Sequence, residues 1–365
     1  MGTRTGTNSS RAGEMTELTP HSSRSVILTV AEIVDETSDA RSVVFEVPET
    51  APDRFTDYRP GQFLTLRIPS DQTGSVARCY SLASSPDTDD RPKVTVKRTA
   101  DGYGSNWVCD NLAAGSTIEV LPPSGVFTPK DYDTPLLLIA AGSGVTPVMS
   151  ILKAALHRGS DPVIFFYANR SADDVIFASE LRDLQQAHAD RLTVIHWLEN
   201  LQGLPTFQAL ATLFRPFTAH AAYMCGPGPF MDAVHKALAD AGFPHHNVHT
   251  EVYNSLTGDP FADVEREEVS AEDAADAATV EVELDGETHT LSWPRKRSLV
   301  DIMLDAGLDA PYSCQEGECG SCACTLTDGT VEMDNTGALD PEDIADGYIL
   351  GCQAHPTSDS LKIEF

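Results

Sequence analysis

Four cysteines near the carboxyl end of the chain have a spacing suited to metal chemistry. Cys314, Cys319 and Cys322 follow the pattern C-x4-C-x2-C, and Cys352 follows after a further 29 residues. Two ferric ions and two bridging sulfides need four thiolates, and this is the plant-type spacing for a [2Fe-2S] cluster. Glycines within the loop allow backbone N–H groups to approach the sulfurs closely. The spacing therefore predicts cluster ligation by these four cysteines.

Two other uses of the cysteines are a zinc site and a disulfide scaffold. Zinc sites favour two C-x2-C pairs or closely spaced histidines, and only one such pair is present. Disulfides need an oxidising compartment, which nothing in the sequence indicates. Cys324, two residues after the third ligand, is interpreted as a packed thiol.

A second group of candidate binding residues lies in the first third of the chain. The order Arg-x-Tyr-Ser at 78–81 resembles the flavin-binding strand of the ferredoxin–NADP reductase superfamily. The chemistry fits the resemblance, because Arg78 can bind a phosphate through its forked guanidinium, Tyr80 can lie on a ring face, and Ser81 can hydrogen-bond a flavin edge. An ordinary strand tyrosine is the alternative interpretation of Tyr80.

The resemblance implies further flavin contacts. Backbone groups of Val96 and Lys97 would hold the polar edge of the flavin. Gly104 and Ser105 stand where a helix would begin, with Ser105 as its N-cap, and the N–H groups of such a helix suit a pyrophosphate. This second element favours FAD over FMN.

A nucleotide-binding turn is predicted after the apolar run Pro135–Ala140. Gly142 and Gly144 follow the run directly, Thr146 is the expected N-cap of the next helix, and Pro147 its first residue. Free N–H groups in such a turn can bind phosphate. The turn lacks the full G-x-G-x-x-G fingerprint, and its place between strand and helix makes it informative.

The next strand ends at Asn169 and Arg170, where the superfamily places the adenosine ribose. Arg170 could bind a 2′-phosphate by charge, or be an ordinary surface arginine. The reductases that this chain resembles mainly use NADH, so NADH is the expected cosubstrate.

Four residues are assigned to hydride transfer by the same resemblance. Cys225, followed by Gly226 and Pro227, would lie beside the nicotinamide, although a buried inert thiol is an alternative. Glu251 and Tyr253, on a predicted strand from His249 to Tyr253, would bring a carboxylate and an aromatic ring to the flavin. Ser81 completes this catalytic set.

The elements that position these residues divide the chain into regions. Short β-branched segments predict an antiparallel β-barrel flavin domain at 26–130, and alternating strands and helices predict a doubly wound α/β nucleotide domain at 131–254. An acidic, Ala-rich linker is expected at 255–278. The resemblance implies an α+β β-grasp ferredoxin domain at 279–365. Residues 1–25 read as a disordered extension and not as a signal peptide.

The charge distribution bears on partners. The net charge is −30, of which 279–365 carries −14 and 255–278 carries −7. Such an acidic end disfavours nucleic acid and anionic membranes and could steer a basic protein partner, unless it only maintains solubility. A cytoplasmic protein is expected.

The domain order is that of oxygenase reductase components in the superfamily. Within this group the chain resembles reductases of steroid-hydroxylating oxygenases. The residues that carry the likeness are 61–67, 75–82, 94–102, 196–203 and the loop 314–324, which we call the cluster loop. This implies an NADH-dependent oxidoreductase that passes electrons through FAD and [2Fe-2S] to a Rieske-type terminal oxygenase. A diiron oxygenase or phenylacetyl-CoA-type epoxidase as acceptor, and a redox sensor without turnover, are the alternatives.

Overall fold

The structure is a computed structural model. It describes residues 20–22, 24–51, 53–256, 258–262, 275–284, 286–308, 310–339 and 341–365. Most of the predicted extension at 1–25 and half of the predicted linker, residues 263–274, therefore lie outside the described residues, as does Asp285 in the predicted hairpin turn.

The first sheet is antiparallel and curled. Its six strands have the order β4-β3-β6-β1-β2-β5, and a bridge between Leu82 and Val94 brings the two edges together. Its buried face is lined by side chains such as Leu64, Leu66 and Ile68. The predicted barrel is confirmed, with β6 as a strand that sequence reasoning missed. The elements are β1 Val26–Thr37, β2 Ala40–Glu46, β3 Phe63–Ser70, β4 Gly74–Ser81, β5 Lys93–Lys97, α1 Tyr103–Asn111 and β6 Thr117–Ser124.

The second sheet is parallel, with the order β11-β10-β7-β8-β9. Helices α2 and α3 pack on one face and α5 and α6 on the other, which confirms the doubly wound prediction. All the strands end at one edge, where such folds bind ligands. The elements are β7 Leu136–Ala141, α2 Val145–Arg158, β8 Val163–Asn169, α3 Ala178–Ala187, β9 Leu192–Leu198, α4 Glu199–Gln202, α5 Phe207–Phe214, β10 Ala221–Cys225, α6 Gly228–Ala241 and β11 Val248–Glu251.

The third sheet is mixed, with the order β13-β12-β18-β14-β16 and a parallel pair at β12 and β18. Helix α7 packs on it and starts at a capping box between Ser298 and Asp301. The predicted β-grasp is confirmed, and Cys324 is buried in its core. The elements are β12 Ala278–Leu284, β13 Glu287–Trp293, α7 Leu299–Asp305, β14 Ala323–Asp328, β15 Val331–Met333, α8 Pro341–Ala345, β16 Tyr348–Leu350, β17 Ala354–Pro356 and β18 Ser360–Glu364.

Two segments that the sequence assigns to an extension and a linker make specific contacts. His21 donates its backbone N–H to the buried carboxylate of Glu119 over 2.6 Å, and its ring Nδ1 lies 2.8 Å from the same carboxylate. Leu256 and Phe261 are 6% and 1% exposed. The described parts of the predicted extension and linker thus have buried partners, which their polar composition did not indicate.

The long uncharged run that begins at Thr134 forms β7, a turn and the start of α2. None of the helices in the described ranges has both the length and the apolar composition that a bilayer crossing demands.

Candidate functional site

The cluster loop directs backbone N–H groups at cysteine sulfurs. The N–H of Cys314 lies 3.5 Å from Cys319 Sγ, and that of Cys352 lies 3.4 Å from Cys322 Sγ. Gly317 has a φ of +77°, a conformation that only glycine adopts readily. N–H donors of this kind stabilise thiolate ligands, so the loop has the features that a bound cluster requires.

The four sulfurs are arranged as two pairs. A hydrogen bond from Cys319 lowers the pKa of Cys314 to about 6, and one from Cys322 lowers the pKa of Cys352. Across the described residues, no three His, Cys, Asp or Glu side chains are placed to hold a single metal ion. Two pairs of cysteines match the needs of a two-iron cluster, in which each iron takes two cysteines.

The flavin strand β4 and helix α1 meet closely at Gly104. A Cβ on Gly104 would lie 2.8 Å from Arg78 Cγ and 3.5 Å from the Tyr80 hydroxyl. Arg78 and Tyr80 are therefore brought together with the start of α1, as a phosphate and ring site would require.

The predicted capping role of Ser105 is wrong. Helix α1 begins at Tyr103 with Gly102 as its N-cap, and no side chain caps it. Ser105 instead accepts a hydrogen bond from the backbone N–H of Thr99 over 3.1 Å, because the chain turns sharply at Asp101, whose φ is +59°. The first N–H groups of α1 thus have no side-chain acceptor, which still suits a pyrophosphate.

Val96 and Lys97 lie on β5, an edge strand of the curled sheet. The Val96 carbonyl accepts a weak hydrogen bond from the Cys109 thiol at 3.6 Å, and Lys97 Nζ lies 3.4 Å from Asp39. The structure places β5 beside α1, the helix whose start meets Arg78 and Tyr80.

The phosphate turn begins earlier than predicted. A 3₁₀ turn spans Gly142–Gly144 and α2 starts at Val145, so Thr146 and Pro147 lie inside the first turn. The predictions of Thr146 as N-cap and Pro147 as first helical residue are therefore wrong. The helix starts early because the 3₁₀ turn leads directly into it. The Thr146 hydroxyl donates a hydrogen bond to the Ser143 carbonyl oxygen in that turn over 3.1 Å.

The phosphate turn packs directly on the turn after β10. A Cβ on Gly144 would lie 2.2 Å from Cys225 O and 2.7 Å from Gly226 N. Only glycine fits there, so Gly144 fixes the position of the turn formed by Cys225, Gly226 and Pro227.

The four predicted catalytic residues lie together at the junction of the first two sheets. The Tyr253 hydroxyl is 3.3 Å from Ser81 Oγ and 2.9 Å from Thr146 Oγ1. Cys225 and Glu251 are direct partners in the pairing of β10 with β11. Strand β11 ends at Glu251, which leaves Tyr253 in the following loop instead of on the strand.

Burial sets the electrostatics of this junction. It raises the pKa of Glu251 to about 8, so the carboxyl is mostly protonated at neutral pH. It also raises the pKa of the fully buried Cys225 thiol, and the charge of Glu251 adds to the effect. Cys225 is therefore a neutral thiol here and not a nucleophile.

The junction and the cluster loop share one cleft. Ser81, Glu251 and Tyr253 line it on one side, and Glu318 and Cys319 on the other. Cys79, between the flavin residues on β4, also lines this cleft. Sequence reasoning missed Cys79. The signal that could have found it is strand alternation, which points its side chain away from the face that carries Arg78 and Tyr80.

The remaining residues that are predicted to bind the nucleotide lie at the end of β8. Asn169 is 7% exposed, and its side-chain amide atoms meet no hydrogen-bond partner in the part of the chain that the structure describes. Arg170 lies 3.0 Å from Asp39 and also pairs with Asp174. Two carboxylates at this arginine would repel a 2′-phosphate, which favours NADH over NADPH.

Comparison with known proteins agrees with these sites. Three family models match: an oxidoreductase FAD-binding domain at 27–128, an oxidoreductase NAD-binding domain at 138–236, and a 2Fe-2S iron-sulfur cluster binding domain at 282–357. The predicted cofactors FAD, NADH and [2Fe-2S] are confirmed, and the last match contains all four predicted cluster ligands.

Relatives and a solved structure share the whole domain order. The ferredoxin reductase component of a 3-ketosteroid-9-alpha-monooxygenase from Rhodococcus rhodochrous is 68% identical, over 95% of this chain and 98% of the relative. One of the subunits of the 1,2-phenylacetyl-CoA epoxidase of Escherichia coli is 31% identical, over 93% and 97%. Phthalate dioxygenase reductase shares the fold, with a TM-score of 0.55 and 24% identity over 93% of this chain and 98% of that structure. The chain therefore belongs to the family of oxygenase reductase components, within the ferredoxin–NADP reductase superfamily, in which flavin, nucleotide and [2Fe-2S] domains share one polypeptide.

Proposed function

We propose that this chain is the NADH-dependent reductase component of a multicomponent monooxygenase, and that it supplies electrons to a Rieske-type terminal oxygenase acting on a 3-ketosteroid. The observation that carries the proposal is the shared cleft, which is lined both by Ser81, Glu251 and Tyr253, the proposed hydride-transfer residues, and by Cys319, a proposed cluster ligand. The identity to the Rhodococcus rhodochrous relative supports the steroid oxygenase as acceptor.

The overall reaction balances without any further reactant. One NADH becomes NAD⁺ and a proton, and its two electrons leave singly to two one-electron acceptors. When bound, FAD accepts electrons in pairs and releases them one at a time, and the cluster holds one electron. The chain's own residues bind these groups, orient them and exclude water.

The proposed roles follow from the contacts. Arg78 and the start of α1 would bind the pyrophosphate, and Tyr80 the flavin ring. The Gly142–Gly144 turn would bind the nucleotide phosphates. Tyr253, held by Ser81 and Thr146, covers the cleft and would turn aside for nicotinamide. The remaining proposed binding residues are Val96, Lys97, Gly104, Ser105, Pro147, Asn169, Arg170, Gly226 and Pro227.

Within the transfer site, Cys225 and Glu251 have different proposed roles. The buried neutral thiol of Cys225 would contact the carbon that gives up hydride. Glu251, protonated at neutral pH, would hold or relay a proton at its carboxyl. The cluster ligands would be Cys314, Cys319, Cys322 and Cys352.

The division of the chain is part of the same proposal. We place the flavin domain at 26–130, the nucleotide domain at 131–254, the linker at 255–278 and the ferredoxin domain at 279–365. We place the reaction in the cytoplasm, since NADH and reduced cysteine ligands both suit a reducing compartment.

The test is reconstitution. Purified protein should contain FAD, iron and sulfide, and should support NADH-dependent hydroxylation of a 3-ketosteroid when mixed with the oxygenase component of the Rhodococcus rhodochrous system. Material without iron would contradict the cluster assignment. Steady NADH oxidation with ferricyanide would exclude a redox sensor without turnover.

A second candidate acceptor is a phenylacetyl-CoA-type epoxidase, which the likeness to the Escherichia coli epoxidase chain supports. Coupling to the oxygenase chains of that enzyme, and not to the steroid oxygenase, would favour it.

A further inference from the structure

The segment 254–262, which leaves the nucleotide sheet, crosses the cluster loop. We call this segment the strap; its residue 257 lies outside the described residues. Asn254 Nδ2 donates a hydrogen bond to Glu318 O over 3.2 Å, and the backbone N–H of Gly258 donates to the Glu316 carboxylate. Both acceptors lie between the cluster ligands Cys314 and Cys319. The strap is therefore attached to the loop that holds the cluster.

The same strap is attached to the flavin sheet. Leu256 and Phe261, 6% and 1% exposed, form one apolar cluster with Ala77 and Leu121 of that sheet and with Cys314. Two side chains of the strap thus share one apolar cluster with a residue of the flavin strand β4 and with a predicted cluster ligand.

Polar contacts hold the far end of the strap. The Arg67 guanidinium, from β3, lies 6.0 Å from the centre of the Phe261 ring and 3.9 Å from Asp259. Asp259 in turn accepts the backbone N–H of Phe261 over 3.0 Å. These contacts fix the ring at one place on the flavin sheet.

Direct polar contact between the flavin sheet and the cluster loop is sparse. Thr65 Oγ1 lies 3.2 Å from Ser313 Oγ, next to Cys314. Cys79 and Cys319, both partly buried, pack against the apolar cluster from its two sides. The strap side chains therefore add an apolar connection to this polar contact.

We propose that the strap is a docking element, in which Leu256 and Phe261 are positioning residues that hold the cluster loop against β4 for electron passage from the flavin strand to Cys314 and Cys319. This inference rests on the proposed function. One electron crosses at each passage and two passages follow each NADH, with no bond formed or broken at the strap. Because electron tunnelling weakens steeply with distance, a loosened contact slows this passage and leaves the earlier hydride transfer unchanged.

The test compares Phe261→Ala with Phe261→Leu in the holoprotein. NADH is mixed in a stopped-flow instrument without an external acceptor, and flavin and cluster reduction are followed by their separate absorbances. In Phe261→Ala we expect flavin reduction at the wild-type rate and cluster reduction slowed about tenfold, equivalent to about 1.4 kcal/mol of docking free energy. This is less than truncation of a buried phenylalanine commonly costs. Phe261→Leu keeps most of the apolar volume and should stay within about twofold of wild type.

A structural readout and a matched control accompany the rates. Hydrogen exchange in the resting protein should speed up in the cluster loop and in β4 of Phe261→Ala only. Phe243→Ala truncates a buried phenylalanine between α6 and β11, in the core that covers one face of the nucleotide sheet, and should leave the ratio of the two reduction rates unchanged. If Phe261→Ala does not fold, Leu256→Ala replaces it with the same expected outcome.

The outcomes separate the two proposals. A wild-type protein whose cluster is not reduced by NADH would refute the proposed function. A wild type that works, with cluster reduction equally fast in Phe261→Ala, would overturn the docking role. Equal slowing in the Phe243→Ala control would overturn it as well, since the effect would then be one of general stability.

Discussion

A substitution at Glu251 directly tests the electrostatics of the proposed hydride-transfer site. It ends β11 beside Cys225 and lines the cleft towards the cluster. Burial raises its pKa from 4.5 to about 8. Glu251→Gln keeps the shape of the protonated side chain and removes its titration, so the variant isolates the effect of the charge.

The sign and size of the effect follow from linkage. A carboxyl with a raised pKa favours the protonated folded state, so the stabilisation is fully present below pH 4.5 and is lost as the pH rises to about 8. At 1.36 kcal/mol per pKa unit, the full rise corresponds to at most about 5 kcal/mol. Because the carboxyl borders an open cleft, we expect about 1–3 kcal/mol to be realised.

The assay is urea denaturation of wild type and Glu251→Gln at pH 5 and pH 9. Between these values the free energy of unfolding of wild type should fall by about 1–3 kcal/mol more than that of the variant. Identical pH dependence in the two proteins would refute the reasoning, since it would mean that Glu251 titrates near its ordinary value.

Three further predictions concern the other sites. Cys314→Ser should abolish NADH-driven cytochrome c reduction while ferricyanide reduction continues, and equal loss of both activities would contradict the proposed order of electron transfer. Gly144→Ala places a methyl group 2.2 Å from a backbone carbonyl oxygen and should destabilise the protein by about 1–3 kcal/mol in thermal denaturation, whereas Gly228→Ala, which meets nothing within 4 Å, should not. Asp174→Ala removes a carboxylate from Arg170 and should raise the ratio of kcat/KM for NADPH to that for NADH several-fold; an unchanged ratio would show that Arg170 does not approach the 2′ position.

The sequence predicted the features that depend on local pattern. The run before Gly142 is uniformly apolar, as in a strand covered on both faces, and it forms the central strand β7. The spacing of the four predicted cluster ligands is likewise a local pattern, because it depends on one loop and on the strand that returns to it. Ser81 and Tyr253, two of the proposed catalytic residues, lie 172 residues apart in sequence and within 3.3 Å of each other, and they were grouped only through resemblance.

Local details of helix starts were predicted less well. Ser105 and Thr146 are both good N-cap types, and neither caps a helix. In each case the chain enters the helix through glycine, and the hydroxyl bonds to the preceding turn instead. A propensity for capping shows that a helix begins nearby, but which residue caps it depends on the path by which the chain arrives.

The strap shows why composition alone could not reveal how the domains meet. The predicted linker that contains most of it is acidic and Ala-rich, which is typical of a tether, and Leu256 and Phe261 are its largest apolar residues. Two apolar residues give no periodicity, so no local rule assigns them a partner. Their partners are far from them in sequence, since Ala77 comes from the flavin sheet and Cys314 from the cluster loop. In the proposed docking role, a short apolar contact of this kind holds β4 and the cluster loop at a fixed separation at small cost in binding energy. The rate of electron transfer between them depends on that separation.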